Sequence, residues 1–467
     1  MPTDLWRLSA VELAAGYARG SFSPVEATEA VLTRIATVDA AVNAIVTLDP
    51  EGARSQARAS ETRWREGTPH TALDGVPLTV KDNLNVRSLR TTWGSRLYAD
   101  FVPAADELPV ARARAAGMVI LGKTNVPEFT LSGYTDNALF GPTHNPWDLR
   151  LTPGGSSGGA VAAVAGGMAP LALGTDGGGS IRRPASHAGV VGLKPSRGRV
   201  ARAGGLPQIL LDFEVVGPMA RTTRDIVLMM AAIALPDPRD PASTELAARA
   251  WTMPPPKSWR ILYVPHFGDA PVDPEIAASV ERAAGTFAAL GHALTEGPVP
   301  FDADAFNVVW PIISQAGLAA LLHRMPGWRE RVASPFVEMA DAGSRLRATE
   351  VIDALAEIAR MRERMSEAFG TYDALLTPSA AALPWPAQEP FPPLIAGRAV
   401  GPRGHAVFAA FVNASGCPGI SVPCTPSAAG LPIGFQLVAG PGHDEALCML
   451  AQEYEMAEPW VHRWPPL

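Results

Sequence analysis

Cysteine is scarce in this chain. The 467 residues include only three cysteines, Cys417, Cys424 and Cys448, all near the C-terminal end. An odd number in this arrangement argues against a disulfide framework, and the spacing matches no metal-binding motif. We therefore expect three reduced, mostly buried thiols in a cytoplasmic protein that uses neither a metal nor an organic cofactor.

Long hydrophobic runs and tracts of positive charge are also missing. The longest apolar run, around residues 160–173, is interrupted by Gly166, Gly167 and Pro170, and it is too short to span a bilayer. The first residues lack the basic and apolar regions of a signal peptide. The net charge is −7 and the pI is about 5.8, so we expect no nucleic-acid partner and no membrane association.

Lysine is rare as well, with four residues among the 39 lysines and arginines. A GC-rich coding bias explains the general excess of arginine. Three of the four lysines, Lys81, Lys123 and Lys194, nevertheless lie in the same stretch as the glycine motifs described below. Lysine can lose its proton and act as a base, whereas arginine stays charged, so these lysines are candidates for chemistry.

The chain begins with helices and continues with alternating strands and helices. Ser9–Glu12 and Ser23–Glu26 have the capping-box pattern, which predicts helices in an N-terminal segment of residues 1–66, and a third helix follows Asp49. Short apolar runs predict strands at 76–80, 118–121, 169–174, 260–264, near 293, 373–377 and 434–438, and a helix over 273–290. This alternation predicts an α/β/α sandwich around a largely buried sheet.

The predicted domain organisation is simple. With 47% apolar residues, the chain can bury a large core, and we expect residues 1–467 to form one domain. Residues 300–350 are predicted to be an amphipathic helical insertion. The proline-rich segment Met253–Pro256 is predicted to be a surface connection and not a domain boundary.

Ser180 follows three glycines, Gly177, Gly178 and Gly179, at the end of a predicted strand. Glycine permits positive φ and close approach of a substrate, and successive backbone N–H groups in such a turn can bind an oxyanion. A serine hydroxyl needs a neighbouring base to act as a nucleophile. The alternative is a turn in which Ser180 only caps the next helix.

A second turn, residues 154–159, reads Gly-Gly-Ser-Ser-Gly-Gly. Its apolar flanks argue against a flexible linker, and a P-loop phosphate cradle would need a lysine directly after the glycines. The run also fits the nucleophile elbow of α/β-hydrolases on Ser156 or Ser157, although Leu151–Pro153 is a poor end for the strand that should precede it. The remaining interpretation is a catalytic turn.

Lys81 ends the apolar run of the first predicted strand. A charged amine is costly to bury, and burial lowers a lysine pKa, so a buried Lys81 can be neutral and act as a base. The alternative is an ion pair between Lys81 and its neighbour Asp82.

The stretch from Asp74 to Lys194 closely resembles the amidase signature family. The family signature is matched nearly residue for residue from Gly154 to Arg182, and the resemblance covers most of the chain, least at 245–370. Supporting matches are Gly75-Val76-Pro77, Lys81-Asp82-Asn83, Gly122-Lys123-Thr124-Asn125, Gly141-Pro142-Thr143, Asn145-Pro146-Trp147-Asp148, Gly192-Leu193-Lys194-Pro195, Asn413-Ala414-Ser415-Gly416-Cys417-Pro418 and Gly430-Leu431-Pro432-Ile433-Gly434-Phe435-Gln436.

The resemblance implies a large mixed sheet, a family core at residues 74–240, and roles for named residues. It implies that Ser180 is the nucleophile, Ser156 the bridging serine on a cis peptide bond, and Lys81 the base. The implied oxyanion hole consists of the N–H groups of Gly177, Gly178, Gly179 and Ser180. The implied supporting residues are Ser157, Asp176 and Arg182. Position 177 is glycine where the family often has threonine, so a side-chain contact is lost although the backbone donor remains.

The variable insertion is expected to line an apolar acyl or leaving-group pocket. The alternative for its aromatic residues is plain core packing. The residues expected on the two walls are Phe306, Trp310, Ile313 and Phe336 on one side, and Phe129, Thr130, Ser132 and Tyr134 on the other.

The sequence therefore predicts a serine hydrolase that cleaves the C–N bond of a small, apolar or aryl amide through an acyl-enzyme. The same residues would serve a carbamate (urethane) or ester hydrolase, and the resemblance extends to the A-type subunits of amidotransferases, which need partner chains. A third alternative is a histidine-dependent hydrolase that uses His443 with Asp444, or His405. A small-molecule amide or carbamate is the expected partner, and a homodimer is a further expectation.

Overall fold

The computed structural model describes residues 4–246, 251–252 and 257–467. Its centre is an 11-stranded mixed sheet with helices on both faces, so the predicted α/β/α architecture is confirmed. The predicted surface connection at Met253–Pro256 lies outside the described residues.

The strands are short and mostly buried. In chain order they are β1 (Ile45–Leu48), β2 (Pro77–Lys81), β3 (Val119–Thr124), β4 (Leu171–Asp176), β5 (Val191–Lys194), β6 (Val215–Ala220), β7 (Arg260–Tyr263), β8 (Ala293–Glu296), β9 (Ala374–Pro378), β10 (Leu394–Ile395), β11 (Arg398–Ala399), β12 (Gly419–Pro423) and β13 (Gly434–Ala439). The large sheet has the order β1-β3-β2-β4-β6-β5-β12-β13-β9-β7-β8, and β10 and β11 form a separate hairpin. Strands β2, β3 and β4 are parallel to one another, as are β7, β8 and β9, and the other pairings are antiparallel.

The helices cover the two faces of the sheet and form the insertion. In chain order they are α1 (Ala10–Ala18), α2 (Pro24–Val42), α3 (Pro50–Arg65), α4 (Leu108–Ala115), α5 (Gly158–Ala165), α6 (Arg182–Ala188), α7 (Thr223–Ile233), α8 (Ser243–Leu246), α9 (Pro274–Ala289), α10 (Ala303–Asn307), α11 (Val309–Leu322), α12 (Ser334–Arg345), α13 (Ala348–Thr371), α14 (Ala410–Ala414) and α15 (Asp444–Ala457).

The predicted helix starts are confirmed at the N-terminal end. The side chains of Ser9 and Ser23 accept hydrogen bonds from the backbone N–H groups of Glu12 and Glu26, respectively. The two glutamate side chains in turn accept hydrogen bonds from the backbone N–H groups of the two serines. The helix predicted after Asp49 also forms, with the Asp49 side chain accepting from Gly52 N. These local hydrogen bonds satisfy N–H groups that a helix leaves free at its first turn.

The predicted strands form within three residues of the expected bounds, but four strands of the sheet were not predicted. These are β1, β5, β6 and β12, which contain four to six residues each. Strand β6 carries Gly217 and Pro218, and glycine and proline are depleted in strands. Short strands with such residues give little periodic signal, so neighbouring strands in the sheet decide their conformation.

The helical insertion packs through small residues. A Cβ on Gly317 of α11 would lie 1.8 Å from the backbone oxygen of Ile209, and a Cβ on Gly343 of α12 would lie 2.0 Å from that of Gln315. Among the described residues one stretch, Ala303–Leu322, is long and apolar enough to cross a membrane by length and composition alone. Half of it is buried inside the fold.

The two ends of the described chain meet beside the turn after α5. The rings of Trp6 and Trp464 are in edge-to-face contact with centroids 5.0 Å apart. The Arg221 guanidinium lies 3.7 Å from the centroid of Trp464, and Trp6 packs so closely on Gly167 that a Cβ there would lie 2.2 Å from the indole ring.

Candidate active site

The predicted site residues are brought together at one end of two neighbouring strands. Strand β2 ends at Lys81 and strand β4 ends at Thr175–Asp176. The two strands are parallel, with Val80 opposite Leu173. The carboxyl ends of parallel strands meet at the same edge of a sheet, which is where α/β proteins bind ligands.

Lys81 is fully buried and points at Ser156. Its Nζ lies 2.9 Å from Ser156 Oγ, 3.0 Å from Thr175 Oγ1 and 3.1 Å from the Thr175 carbonyl oxygen. The Asn83 side chain donates to the same Thr175 hydroxyl at 2.9 Å. Burial lowers the pKa of Lys81 to about 7, because the charged form loses its hydration. At neutral pH a large fraction of this amine is therefore uncharged.

The alternative ion pair between Lys81 and Asp82 does not form. Asp82 Oδ1 lies 3.2 Å from Lys123 Nζ, and its other oxygen accepts hydrogen bonds from the backbone and hydroxyl of Thr92. Adjacent residues at a strand end point to opposite faces, so Asp82 and Lys81 face different surroundings.

Ser156 lies in a tight turn before helix α5. The peptide bond between Gly155 and Ser156 is cis, as the resemblance implied. A Cβ on Gly155 would lie 2.6 Å from the Tyr134 carbonyl oxygen, so only glycine allows this approach. Ser157 donates its N–H to the Ser180 carbonyl at 3.1 Å and its hydroxyl to the Thr175 carbonyl at 3.2 Å, which ties the two serine turns together.

The local structure rejects two alternatives for this turn. Residues 152–154 are not in a strand, so the turn lacks the strand that a nucleophile elbow requires. Residues 154–159 are all buried, which is incompatible with a flexible linker.

Ser180 is 8% exposed and does not cap helix α6 with its side chain, because Ile181 occupies the cap position. The turn is shaped by Asp176, whose carboxylate accepts from Gly179 N at 2.7 Å and from Ile181 N at 3.0 Å. Gly179 has φ of +101°, a conformation that favours glycine. The turn that carries the Ser180 hydroxyl is thus held by hydrogen bonds to the Asp176 carboxylate.

One predicted oxyanion donor requires correction. The N–H of Gly179 donates to Asp176 and is therefore already satisfied, so Gly179 leaves the predicted donor set. Gly177, Gly178 and Ser180 remain as candidates. The indole N–H of Trp310 donates to the Gly177 carbonyl at 3.2 Å, which fixes the orientation of that peptide.

Asp176 and Arg182, predicted as supports, form a buried ion pair. Arg182 Nε and Nη2 donate to the two carboxylate oxygens at 3.0 Å each, and the guanidinium also donates to Asn413 Oδ1 and Gln436 Oε1. Burial favours the neutral acid, but the Arg182 charge outweighs it and holds the pKa of Asp176 far below its usual value. The turn therefore rests on a permanently charged, fully hydrogen-bonded pair.

Six of the predicted pocket residues divide into three pairs. The backbone of Tyr134 lies against Gly155, and a Cβ on Gly178 would lie 2.6 Å from Trp310 Nε1, so the main chain at Tyr134 and the indole of Trp310 flank the serine turns. Phe129 and Ile313 are buried in the core, as the packing alternative predicted. Phe129 packs edge-to-face on Phe336 with centroids 5.9 Å apart.

The remaining two pocket residues lie in the same loop. Thr130 has φ of +58° and its hydroxyl lies 3.4 Å from the Trp93 indole nitrogen. Ser132 belongs to the half-buried segment 131–134. A surface cleft of about 470 Å³ involves the start of the insertion, Phe301–Asp304, and a second of about 570 Å³ involves Leu149–Leu151. Neither cleft is lined by a predicted site residue.

No histidine of the described residues is hydrogen-bonded to Ser156 or Ser180. His443 Nδ1 faces the carbonyl of Gly440, and Asp444 accepts from the backbone and hydroxyl of Ser196. His405 contacts Arg183. This arrangement argues against the histidine-dependent alternative.

Sequence reasoning missed four residues of the site. Thr175 and Asn83 lie inside quoted motifs and bind or support Lys81, so their polar side chains at strand ends were an available signal. Arg183 and Arg403 flank the Ser180 turn. Arg183 is adjacent to the predicted Arg182, but Arg403 approaches from a distant loop and had no local signal.

Comparison with known proteins agrees with this geometry. A family model described as Amidase matches residues 26–448. The chain is 36% identical to the A-type subunit of glutamyl-tRNA(Gln) amidotransferase from Moorella thermoacetica, with 99% of each chain covered, and 35% identical to an acylamidase of Rhodococcus erythropolis, covering 99% of this chain and 98% of that one. The solved structure of a bacterial aryl acylamidase superposes with a TM-score of 0.89 at 28% identity, over 97% of each chain. With its fold, its paired serine turns and its buried lysine, the chain belongs to the amidase signature family.

Proposed function

We propose that this protein hydrolyses the C–N bond of a small-molecule amide through an acyl-enzyme on Ser180. The observation that carries the proposal is the buried amine of Lys81, 2.9 Å from Ser156 Oγ and with a pKa lowered to about 7 by burial. A neutral amine in this position is a general base, and a general base is what a serine nucleophile needs.

The first half of the reaction forms the acyl-enzyme. Ser156 Oγ passes its proton to Lys81 Nζ and takes the proton of Ser180 Oγ, which attacks the amide carbonyl carbon. The carbonyl oxygen becomes an oxyanion, stabilised by N–H groups of Gly177, Gly178 and Ser180. One such donor is typically worth roughly 3–4 kcal/mol of transition-state stabilisation.

The second half releases both products. The tetrahedral intermediate collapses, the C–N bond breaks, and the leaving nitrogen receives the proton from Lys81 through Ser156. Water then gives a proton to the same relay and attacks the acyl carbon, which releases the carboxylic acid and restores Ser180. Asp176 and Arg182 keep the Ser180 turn in place throughout, and Ser157 links that turn to Ser156.

The substrate is proposed to have an apolar or aryl portion. The indole of Trp310 lies against the Ser180 turn at Gly178 and offers aromatic surface to such a group. The rival within this class is a carbamate (urethane) or ester hydrolase, because the same relay can attack those carbonyls. A panel of matched anilides, carbamates and esters, compared by kcat/KM, separates these activities.

A second candidate function is an A-type subunit of an amidotransferase, which the 36% identity to such a subunit favours. It predicts that the purified chain alone does not turn over amides and becomes active with partner chains. Turnover by the isolated chain contradicts this alternative. Light scattering on the same preparation tests the expected homodimer.

The proposed compartment is the cytoplasm. Cys417, Cys424 and Cys448 are free and buried, which is the usual state of thiols in a reducing compartment. Thiol titration in denaturant, after alkylation of exposed groups in cells, should find three reduced thiols.

A serine-reactive organophosphorus probe tests the proposed nucleophile directly. We expect one label per chain, located by peptide mass mapping on Ser180, and we expect Ser180→Ala to abolish it. Ser186→Ala is the matched control, because Ser186 lies on α6 and its hydroxyl accepts a hydrogen bond from Gly434 N away from the proposed relay. A label on Ser156 or Ser157 in the wild-type protein would contradict the assignment.

A further inference from the structure

Arg183 is a buried arginine without an acidic partner. It lies three residues after Ser180, is 4% exposed, and its Nη1 lies 3.2 Å from His405 Nδ1. Its Nε has no hydrogen-bond partner among the described residues. Buried charges are normally paired, so this guanidinium lacks the anion that its position requires.

His405 orients Arg183 and adds no charge. Burial lowers the pKa of His405 far below its ordinary value, so the imidazole is neutral. An arginine has only donors, so His405 Nδ1 accepts the hydrogen bond and its proton resides on Nε2. The histidine therefore holds one edge of the guanidinium, and the buried Nε N–H is left without a hydrogen-bond acceptor among the described residues.

Arg403 brings a second positive charge to the same place. Its guanidinium lies 3.9 Å from the centroid of the Trp310 ring, and within the described residues it makes no ion pair. Burial, together with the positive charge of Arg183, lowers the pKa of Arg403 to about 9. At neutral pH both arginines remain charged.

The acidic groups around the turn are already paired. Asp176 is held by Arg182 in the two-point contact described above. Glu214 is held by Arg202, with the two atoms 2.7 Å apart. Arg202 also binds Glu107 at 2.8 Å, so the group of Arg202, Glu107 and Glu214 carries one negative charge. With Arg183 and Arg403 added, the neighbourhood of Ser180 has a net surplus of one positive charge.

Arg183 contacts the Ser180 turn directly, and Arg403 is connected to it through Trp310. A Cβ on Gly179, the residue before Ser180, would lie 2.7 Å from Arg183 Nε, and a Cβ on Gly133 would lie 2.9 Å from Arg183 Nη1. The Arg403 guanidinium lies over the ring of Trp310, and a Cβ on Gly178 would lie 2.6 Å from Trp310 Nε1. An anion bound to Arg183 would therefore lie near the carbonyl group that Ser180 attacks.

We propose that Arg183 and Arg403 bind a carboxylate of the substrate, so that the protein acts on amides that carry a carboxylate close to the scissile bond. The two oxygens of a carboxylate match the fork-shaped donors of arginine. This inference rests on the proposed function of Ser180 and specifies its substrate class.

Matched pairs of anilides test the inference. One member is the mono-anilide of a dicarboxylic acid of three to six carbons, and the other is the anilide of the fatty acid of the same length, with a methyl group in place of the carboxylate. We expect the wild-type protein to prefer the carboxylate member in kcat/KM, mainly through a lower KM. Arg183→Gln should reduce this preference by roughly 10- to 100-fold, the size expected for a hydrogen bond to a charged group.

Two variants guard against a purely structural effect. Arg183→Lys should restore part of the preference, because it returns the charge without the fork. Arg403→Gln, at a partly exposed residue, should also lower the preference, and thermal unfolding checks that each variant is folded. The matched control is Arg398→Gln in the neighbouring hairpin, where Arg398 is exposed and paired with Asp269. It should leave the preference unchanged.

The outcomes separate the two proposals. If the neutral anilides are cleaved and Ser180 is labelled, but no chain length shows a carboxylate preference, the carboxylate site is overturned and the hydrolase remains. An unchanged preference in both folded Arg183→Gln and folded Arg403→Gln also overturns it. If neither anilide is cleaved and Ser180 is not labelled, the proposed hydrolase fails, and the inference fails with it.

Discussion

Two buried lysines on neighbouring strands, Lys81 and Lys123, differ in the groups that face them. Lys123 lies 3.2 Å from the carboxylate of Asp82 and 2.7 Å from the Thr91 hydroxyl. Lys81 faces only hydroxyl and carbonyl oxygens. Burial lowers the pKa of both lysines, but the adjacent Asp82 carboxylate opposes this shift at Lys123, and no carboxylate in the described part of the chain contacts Lys81.

This difference predicts opposite effects of the same substitution. Lys81→Met should lower kcat/KM by roughly 10²–10⁴-fold, the usual contribution of a general base, with little change in the free energy of unfolding. Lys123→Met should destabilise the protein by about 3–5 kcal/mol, because it removes one partner of a buried pair and leaves Asp82 without its cation in the interior. Urea denaturation and anilide kinetics on both variants test this, and equal stability losses would contradict it.

The pKa of Lys81 also predicts the pH dependence of the reaction. The relay needs the neutral amine, and protonation below a pKa of about 7 removes it. We therefore expect kcat/KM to rise with pH through about 7 and to level off above it. The check is kcat/KM of a chromogenic anilide between pH 5 and 9, and a rate that falls between pH 6 and 8 would be inconsistent with a lysine base.

At the scale of the element, glycine sets how closely helix α11 approaches the rest of the fold. Gly317 lies directly against the backbone of Ile209, whereas Gly285 of α9 has no atom within 4 Å of the position that its Cβ would occupy. Helix α11 also carries Trp310, whose indole binds the Gly177 carbonyl. The position of this helix is therefore connected to the shape of the Ser180 turn.

Gly317→Ala and Gly285→Ala should have effects of opposite sign. The alanine at 317 pushes α11 away from Ile209 and should cost about 1–3 kcal/mol, with a loss of kcat/KM as Trp310 shifts. The alanine at 285 should stabilise the protein by up to about 1 kcal/mol, because alanine favours the helix and nothing opposes its methyl group. Urea denaturation measures both, and destabilisation of the two variants alike would contradict the packing argument.

The elements that could be predicted are those with local signals. The capping boxes at Ser9 and Ser23 fixed two helix starts, and the two glycine turns indicated Ser156 and Ser180. Strand β6 could not be predicted, because Gly217 and Pro218 are poor strand residues that form a strand only between β4 and β5.

Contacts between distant parts of the chain could not be predicted from the sequence either. Trp310 is 133 residues from the Gly177 that it binds, and His405 is 222 residues from Arg183. A single sequence contains no pattern that reports such pairs. The unpaired charge of Arg183 could therefore be recognised only after the fold had placed its neighbours.

At the scale of the whole molecule, a buried carboxyl connects the N-terminal helix to the body. Asp225 of α7 is fully buried and accepts a hydrogen bond from Val11 N of α1 at 2.9 Å, and its other oxygen has no partner among the described residues. Burial raises the pKa of Asp225 to about 7, and the charge of Glu455 adds to the shift.

This carboxyl predicts how stability depends on pH. The folded protein binds the proton more tightly than the unfolded chain, so this group lowers the free energy of unfolding as the pH rises from about 4 to about 7. Asp225→Asn removes this contribution and keeps an acceptor for Val11 N. We expect the variant to match the wild type near pH 4 and to be more stable by about 1–4 kcal/mol at pH 8. Urea denaturation at both values checks this, and a constant difference would contradict it.

The order of the strands has a consequence for synthesis on the ribosome. Strands β12 and β13 come from residues 419–439 but lie between β5 and β9, and the Asn413 and Gln436 that hold Arg182 are made 231 and 254 residues after it. At roughly 5–20 residues per second, the growing chain waits about 10–50 s with two open sheet edges. Such edges pair readily with other chains, so production of this protein should depend on chaperones that protect the nascent chain until its last strands arrive.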